Sequence, residues 1–238
     1  MTEPRNLFEL TEEILKQSAS FSDAQKKYAE KFNKKNKPTE YEMEYRKKLF
    51  EEKPETPPIT EQVARDIFWM TAKKINPNYI VPEKIMVRNL VNYFFGFDGE
   101  LDTGKGLLIC GGTGSGKTQF FSIIQMALQY TGKSFRMFNC IEIEQAIRFG
   151  GDYSAYDNGD VCFDDLGAEQ IETLMYGNRV IPMSEILQRR YVRRDGGKTH
   201  VTTNLNMIEI QNRYGSRVSD RLREICNLVI FDRGSFRK

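Results

Sequence analysis

The sequence predicts an α/β fold of three layers, a five-stranded parallel sheet between helices, with a small helical domain ahead of it. Three observations carry this. From residue 106 onward short apolar runs alternate with amphipathic helical patterns, a rhythm that implies right-handed crossovers and a parallel sheet covered on both faces. The first of these runs leads straight into a glycine-rich loop and then a helical pattern, the strand–loop–helix order of a phosphate-binding turn. Residues 3–53, by contrast, show only helical spacing and heavy charge before a proline-rich break.

In chain order, Leu7, Leu10, Ile14 and Leu15 recur at helical spacing, and Phe21, Tyr28 and Phe32 mark a second amphipathic set. The lysine-rich stretch KKYAEKFNKKNKP separates them from YEMEYRKKLFEE. It reads either as a solvated helix face and loop or as a contact for nucleic acid or an acidic partner. KPETPPIT has three prolines in five residues, which cannot continue a helix and mark a linker. The boundary is therefore drawn at residue 58, with 1–58 a helical region and linker and 59–238 the α/β domain. Thr60 can cap the next helix, which carries Val63, Ile67, Phe68 and Met70 on apolar positions and stops at Asn76-Pro77. A further helix, from Pro82 through Ile85, Val87, Leu90, Val91, Tyr93 and Phe94, ends at Gly96. Strands are expected at 106–110, 134–138, 160–164, 199–203 and 227–231. Helices are expected at 117–130, 141–149, 181–194 and 206–225, the last broken near Gly215. No internal repeat is visible.

Composition narrows the class. A length of 238 residues leaves room for one sizeable domain and a small one. A net charge of +2 argues against an overall electrostatic grip on nucleic acid, so any such contact must come from a local patch. No apolar run reaches the length of a membrane span and the N-terminus resembles no signal peptide, so the expectation is a cytoplasmic protein with no membrane partner. Cysteines stand at 110, 140, 162 and 226 with no C-x-x-C pair, and His200 is the single histidine. Structural zinc is disfavoured, and core packing accounts for Cys110 and Cys162.

The loop GGTGSGKT at 111–118 fits G-x-x-x-x-G-K-[ST], with Gly111, Gly116, Lys117 and Thr118 on the fixed positions. Glycines let the backbone approach an anion without a Cβ in the way. The amides of Gly111, Gly112, Thr113, Gly114, Ser115 and Gly116, and the helix start through Gln119, can then surround α- and β-phosphates. Lys117 would reach the β- and γ-phosphates and the Thr118 hydroxyl would ligate Mg²⁺. The alternative is a glycine-rich hairpin with an exposed lysine.

Further along, DVCFDDLG ends a strand with two acids. Asp164 is assigned to the metal and Asp165 to the attacking water, with Glu169 as a nearby acid able to share the base role. Paired acids also serve simply as turn residues. HVTTNLN sets Thr203 and Asn204 at the end of another strand, where a short polar side chain can meet a γ-phosphate or close an Asx turn. In the last segment Arg217 and Arg221 are four apart and share a helix face. They are either an ordinary basic face or a finger lent to a neighbouring subunit's ATP site. For nucleic acid, Arg148, Phe149, Tyr153 and Tyr156 offer one phosphate contact and stacking surfaces, or else belong to an ordinary crossover. Arg189-Arg190 with Arg193-Arg194 form the better basic patch.

Taken together, the Walker A loop GGTGSGKT, the Walker B run VCFDDLGAE, the sensor-like TTNLN and YGSRVSDRLRE before a last apolar strand and SFR resemble the DnaC-type helicase loaders. These are AAA+ ATPases, related to the IstB transposition helpers, and the likeness covers roughly residues 82–238. It implies ATP and Mg²⁺ as cofactors, Asn204 as sensor 1, Arg221 as arginine finger and Arg217 as a second basic position at the subunit interface. It also implies a sensor strand lying between the Walker A and Walker B strands. Family members assemble through their ATP sites and load a DnaB-type replicative helicase onto single-stranded DNA. The N-terminal region, residues 1–58, would hold the helicase. Two features depart from the AAA+ pattern. The sequence stops at Lys238, so a full helical lid is expected to be missing, as in DnaC-like and IstB-like proteins. Asp165 stands where a glutamate is usual, and its shorter reach predicts slow hydrolysis. Alternatives are an IstB-like helper of a DNA transposase and an adaptor that binds ATP without hydrolysing it; a metabolic P-loop kinase fits least.

Overall fold

The computed structural model describes residues 59–79, 84–175, 177–193 and 196–231. The expectations for residues 1–58, Pro82, Arg194 and the SFR segment lie outside them. The chain divides into two units, Met1–Thr60 and Glu61–Lys238, and all the described residues but Ile59 and Thr60 belong to the second. Its elements are α1 (Glu61–Ile75), α2 (Lys84–Phe95), β1 (Gly106–Gly111), α3 (Lys117–Leu128), β2 (Arg136–Asn139), α4 (Cys140–Arg148) and β3 (Val161–Leu166). Then follow β4 (Thr173–Met175), β5 (Asn178–Val180), α5 (Pro182–Val192), β6 (Thr199–Thr203), α6 (Met207–Tyr214), α7 (Ser216–Ile225) and β7 (Cys226–Phe231). No helix among the described residues is long and apolar enough to cross a membrane.

Five strands form one sheet in the order β2-β3-β6-β1-β7, every neighbouring pair parallel. The strand carrying the Thr-Thr-Asn end therefore lies between the strand of the glycine loop and the strand of the paired acids. Burial on both faces follows from the strand sequences: residues 107–109, 161–163 and 199–203 are buried throughout. Alternate residues feed two cores. Leu108, Cys110, Phe163 and Val201 pack with Ile143 and Ile147 of α4, Ile186 and Leu187 of α5, and Val218 and Leu222 of α7. On the other face Phe94, Phe121 and Phe135 crowd around His200, with ring centroids 5.3, 5.7 and 5.7 Å from it. His200 Nδ1 accepts from the Leu107 amide at 3.2 Å. Burial first, and then the cations Lys198 and Arg190, push its pKa down to about 3, so it stays neutral. The lone histidine is a core residue. Gly106 shows how close β1 and β6 lie, since a Cβ there would fall 1.8 Å from the Thr199 carbonyl oxygen.

The alternating elements appear where the periodicity sets them, with the long helix divided at Gly215 into α6 and α7. The antiparallel pair β4–β5 was not anticipated; its strands are three residues each, too short to show alternation. A second difference matters more. β3 continues past Asp164 to Leu166, and its pairing with β6 steps from Phe163↔Val201 to Leu166↔Thr203, three residues against two. The extra residue makes a bulge at the two acids. Asp165 takes φ 56°, the single positive φ of a non-glycine among the described residues. Aspartate tolerates this left-handed region better than most side chains, and bulges beside sites re-aim side chains.

Candidate functional site

The glycine loop joins β1 to α3. Gly116, at the helix N-cap, has φ 91° and ψ 10°, and no side chain caps α3. The first amides of the helix are thus left to something outside the usual capping chemistry. A Cβ added at Gly112 or Gly116 would meet no atom of the chain within 4 Å, so that side of the turn is open. At Gly111 the opposite holds: a Cβ would come within 2.5 Å of the Phe231 carbonyl oxygen, which requires glycine there because β7 passes so near.

Lys117 is only 4% exposed. Its Nζ donates to the Gly111 carbonyl at 2.7 Å, the Gly112 carbonyl at 3.1 Å and Asn204 Oδ1 at 2.7 Å. Asn204 is thereby brought to the phosphate turn from 87 residues away. Beside it, Asp164 Oδ1 accepts from the Thr118 hydroxyl at 2.9 Å and from the Thr202 hydroxyl at 2.6 Å. Desolvation by burial raises the Asp164 pKa, partly offset by those two hydrogen bonds and by Lys117. The Asp165 amide donates to Thr202 Oγ1 at 2.9 Å, so one threonine anchors both acids. The sequence motif points to Thr203 and Asn204, whereas the residue that meets the acids is Thr202. Strand alternation offered a signal, since of two adjacent threonines only one can face the acids. Thr203 instead donates to the Leu166 carbonyl at 2.6 Å.

These donors suit the groups they would hold. An open turn with a lysine and an uncapped helix start fits a polyphosphate. An adjacent hydroxyl and carboxylate are the hard oxygen pair from which Mg²⁺ is held together with phosphate and water. A dication at that point would also relieve the cost of burying Asp164 as an anion. The Asp165 carboxylate accepts no hydrogen bond among the described residues. Gln119 follows in the first turn of α3.

Other candidates sit elsewhere. Glu169 is 4% exposed and fully engaged. Its carboxylate accepts from the Gly167 amide at 2.8 Å and from the Tyr214 hydroxyl, so both oxygens already have donors within the chain. Arg190 is not part of a basic surface. It is 4% exposed and donates five hydrogen bonds, to Thr199 Oγ1 and to the carbonyls of Tyr156, Gly159, Gly197 and Lys198. Burial lowers its pKa to about 10. Arg189 and Arg193 both pair with the buried Asp157, whose carboxyl is held below its usual range, first by the Arg189 hydrogen bond. The expected patch is thus largely a structural clasp. Arg148 bonds Glu144, Thr173 and Gln170, while Phe149 beside it is 85% exposed. Tyr153 lies under the Arg189 guanidinium, 5.9 Å from Cζ to ring centroid. Arg217 is exposed on α7. Arg221, one turn on, lies 4.6 Å over the Tyr191 ring and 3.4 Å from Gln188 Oε1, both on α5.

No family model matches the chain, and no curated protein matches it. Among solved structures it is similar to DnaI, at 17% identity over 73% of this chain and 85% of that one, with a TM-score of 0.44. It is also similar to the DnaC helicase loader, at 19% identity over 68% and 97%, with a TM-score of 0.46. A third is AMPPCP-bound DnaA from Aquifex aeolicus, at 17% identity over 65% and 48%, with a TM-score of 0.44. Likeness at this level of identity speaks of fold alone.

Proposed function

We propose that this chain is an ATP-dependent helicase loader of the DnaC type. It binds ATP with Mg²⁺, hydrolyses it slowly, assembles with its own copies through the ATP sites, and delivers a DnaB-type replicative helicase to single-stranded DNA. Bound ATP–Mg²⁺ supplies the phosphoanhydride bond and the cation that shields its charge. The glycine-loop amides and Lys117 bind the phosphates, and Thr118 and Asp164 hold the metal. Asp165 orients and deprotonates the water, and Asn204 holds the γ-phosphate end. Arg221, with Arg217 near it, serves a neighbouring copy. The N-terminal region docks the helicase.

The observation that carries this reading is the 2.7 Å contact between Lys117 Nζ and Asn204 Oδ1, beside the Thr118–Asp164 pair. The ends of three neighbouring strands bring Lys117, Asn204 and Asp164 around one turn, which supports the reading. Nothing of the kind is needed for a glycine-rich hairpin. The slow rate follows from Asp165, whose carboxylate is one methylene shorter than glutamate and is set on a bulge.

Titration of the full chain with ATP, with and without Mg²⁺, tests the site: Mg²⁺-dependent binding lost in Lys117→Ala is the expected result. Folded protein with no such affinity overturns the proposal. Affinity capture in the presence of ATP then tests the partner, with a DnaB-type helicase expected. A transposase in its place identifies an IstB-like helper, and tight ATP binding without any turnover identifies an adaptor.

A further inference from the structure

A buried polar knot ties the loop after the paired acids to the start of the helix that carries Arg217 and Arg221. Glu169 Oε2 accepts from the Gly167 amide at 2.8 Å, and Oε1 accepts from the Tyr214 hydroxyl. Arg213 closes the other side. Its Nη2 donates to the Glu169 carbonyl and its Nε lies 3.9 Å from Oε1. The same Nε donates to the Tyr214 hydroxyl at 3.2 Å. Glu169 and Tyr214 are both buried, 45 residues apart in sequence.

What these residues join gives the knot a meaning beyond stability. Glu169 is four residues past Asp165. The segment between them is wedged against the end of β6, where a Cβ on Gly167 would fall 2.6 Å from Leu205 Cδ1. Leu205 directly follows Asn204. Tyr214 is the last residue of α6, and Gly215, with φ 90° and ψ 160°, turns the chain into α7. On α7, Val218 and Leu222 are buried while Arg217 is exposed, so the helix is seated on the core by its apolar face with Arg217 turned outward. A shift of the acid loop cannot leave the α6–α7 junction in place without uncovering the Glu169 carboxylate, and an unmade hydrogen bond to a buried charge is costly.

We infer that Glu169, Tyr214 and Arg213 form a latch that positions the Arg221 helix relative to the chain's own Walker B loop, setting how the finger is presented to the neighbouring copy. Glu169 and Tyr214 are positioning residues in this scheme, touching neither phosphate nor metal. The latch rests on the ATPase reading above and on Arg221 acting as the finger.

A double-mutant cycle on the assembled full chain tests it, with Tyr214→Phe, which removes one hydroxyl and keeps the ring, and Arg221→Ala. Tyr214→Phe is expected to leave KM for ATP within about twofold and to lower kcat roughly tenfold, as loss of orientation does. In the Arg221→Ala background the same change should alter kcat by less than about twofold, because the group it positions is gone. A purely structural tyrosine would multiply its loss onto the second mutation, and that outcome overturns the latch, as does an unchanged kcat in Tyr214→Phe. Should Tyr214→Phe fold poorly, Glu169→Gln, measured through the same cycle, decides between the same outcomes. Full turnover in Arg221→Ala alone overturns the finger assignment and the latch with it. Impaired Arg221→Ala with multiplying losses overturns the latch and leaves the ATPase reading standing.

Discussion

Asp164 bears the largest single conflict in the site, a carboxylate 5% exposed and held by two threonine hydroxyls. Burial raises its pKa above the ordinary 3.8, so the folded chain binds that proton more tightly than the unfolded one. Its contribution to stability is then greatest at low pH and falls as pH rises past 3.8 and through the raised folded value. Asp164→Asn is expected to raise the melting temperature of the nucleotide-free protein near neutral pH, by a margin that shrinks as pH falls. The same variant should lose the Mg²⁺-dependent part of its ATP affinity. Melting curves across pH and titrations with and without Mg²⁺ check the two halves. Thr202→Val removes both the donor to Asp164 and the acceptor for the Asp165 amide. An unsatisfied buried partner costs about 1–3 kcal/mol, and chemical denaturation should show a loss in that range together with reduced turnover. From the sequence, Lys117, Thr118, Asp164 and Asn204 were legible because each sits at the end of a strand or the start of a helix whose period is plain. Thr202 was not, since deciding which of two adjacent threonines faces the acids needs the register with β3.

Elements are held in place here by close backbone approach and by one arginine. Arg190 on α5 reaches the carbonyls where β3 and β6 begin and the turn before them. Arg190→Ala orphans several buried acceptors at once, and unfolding in urea is expected to show a loss of roughly 3 kcal/mol or more. Single-stranded DNA affinity, corrected for folded fraction, should not depend on this residue. Gly106→Ala would drive a Cβ into the Thr199 carbonyl, and soluble expression is expected to fail, because strand backbones cannot give as flexible side chains can. Neither feature shows in the sequence. Arg190 and its neighbour Arg189 are indistinguishable as letters in a basic run, and only the packing of α5 over the sheet buries one of them. The bulge at Asp164-Asp165 is hidden for a related reason: a strand that ends and a strand that bulges and continues have the same short apolar run before the acids.

At the scale of the whole molecule, assembly is the feature the proposal most depends on. Arg221 contacts α5 of its own chain rather than its own glycine turn, an arrangement compatible with service to a neighbour. Arg221→Ala is expected to leave ATP affinity and melting temperature near those of the parent. It should also lower turnover of the assembled protein by about a thousandfold, the scale of a lost arginine finger. Turnover measured against protein concentration, with a mixing series of parent and variant, checks it. Sequence alone settled the alternation of strands and helices and where the glycine turn and the two strand-end acids fall along them, because periodicity and a contiguous motif are local properties that short stretches carry whole. The place of β6 between β1 and β3 was implied by the family resemblance alone, and the sheet order agrees with it; the contact of Lys117 with Asn204, the anchoring of both acids by Thr202 and the burial of Arg190 and Glu169 were decided by the fold. Each joins residues tens of positions apart, and such proximity follows from strand order and register, which are fixed only when the two cores close around the sheet.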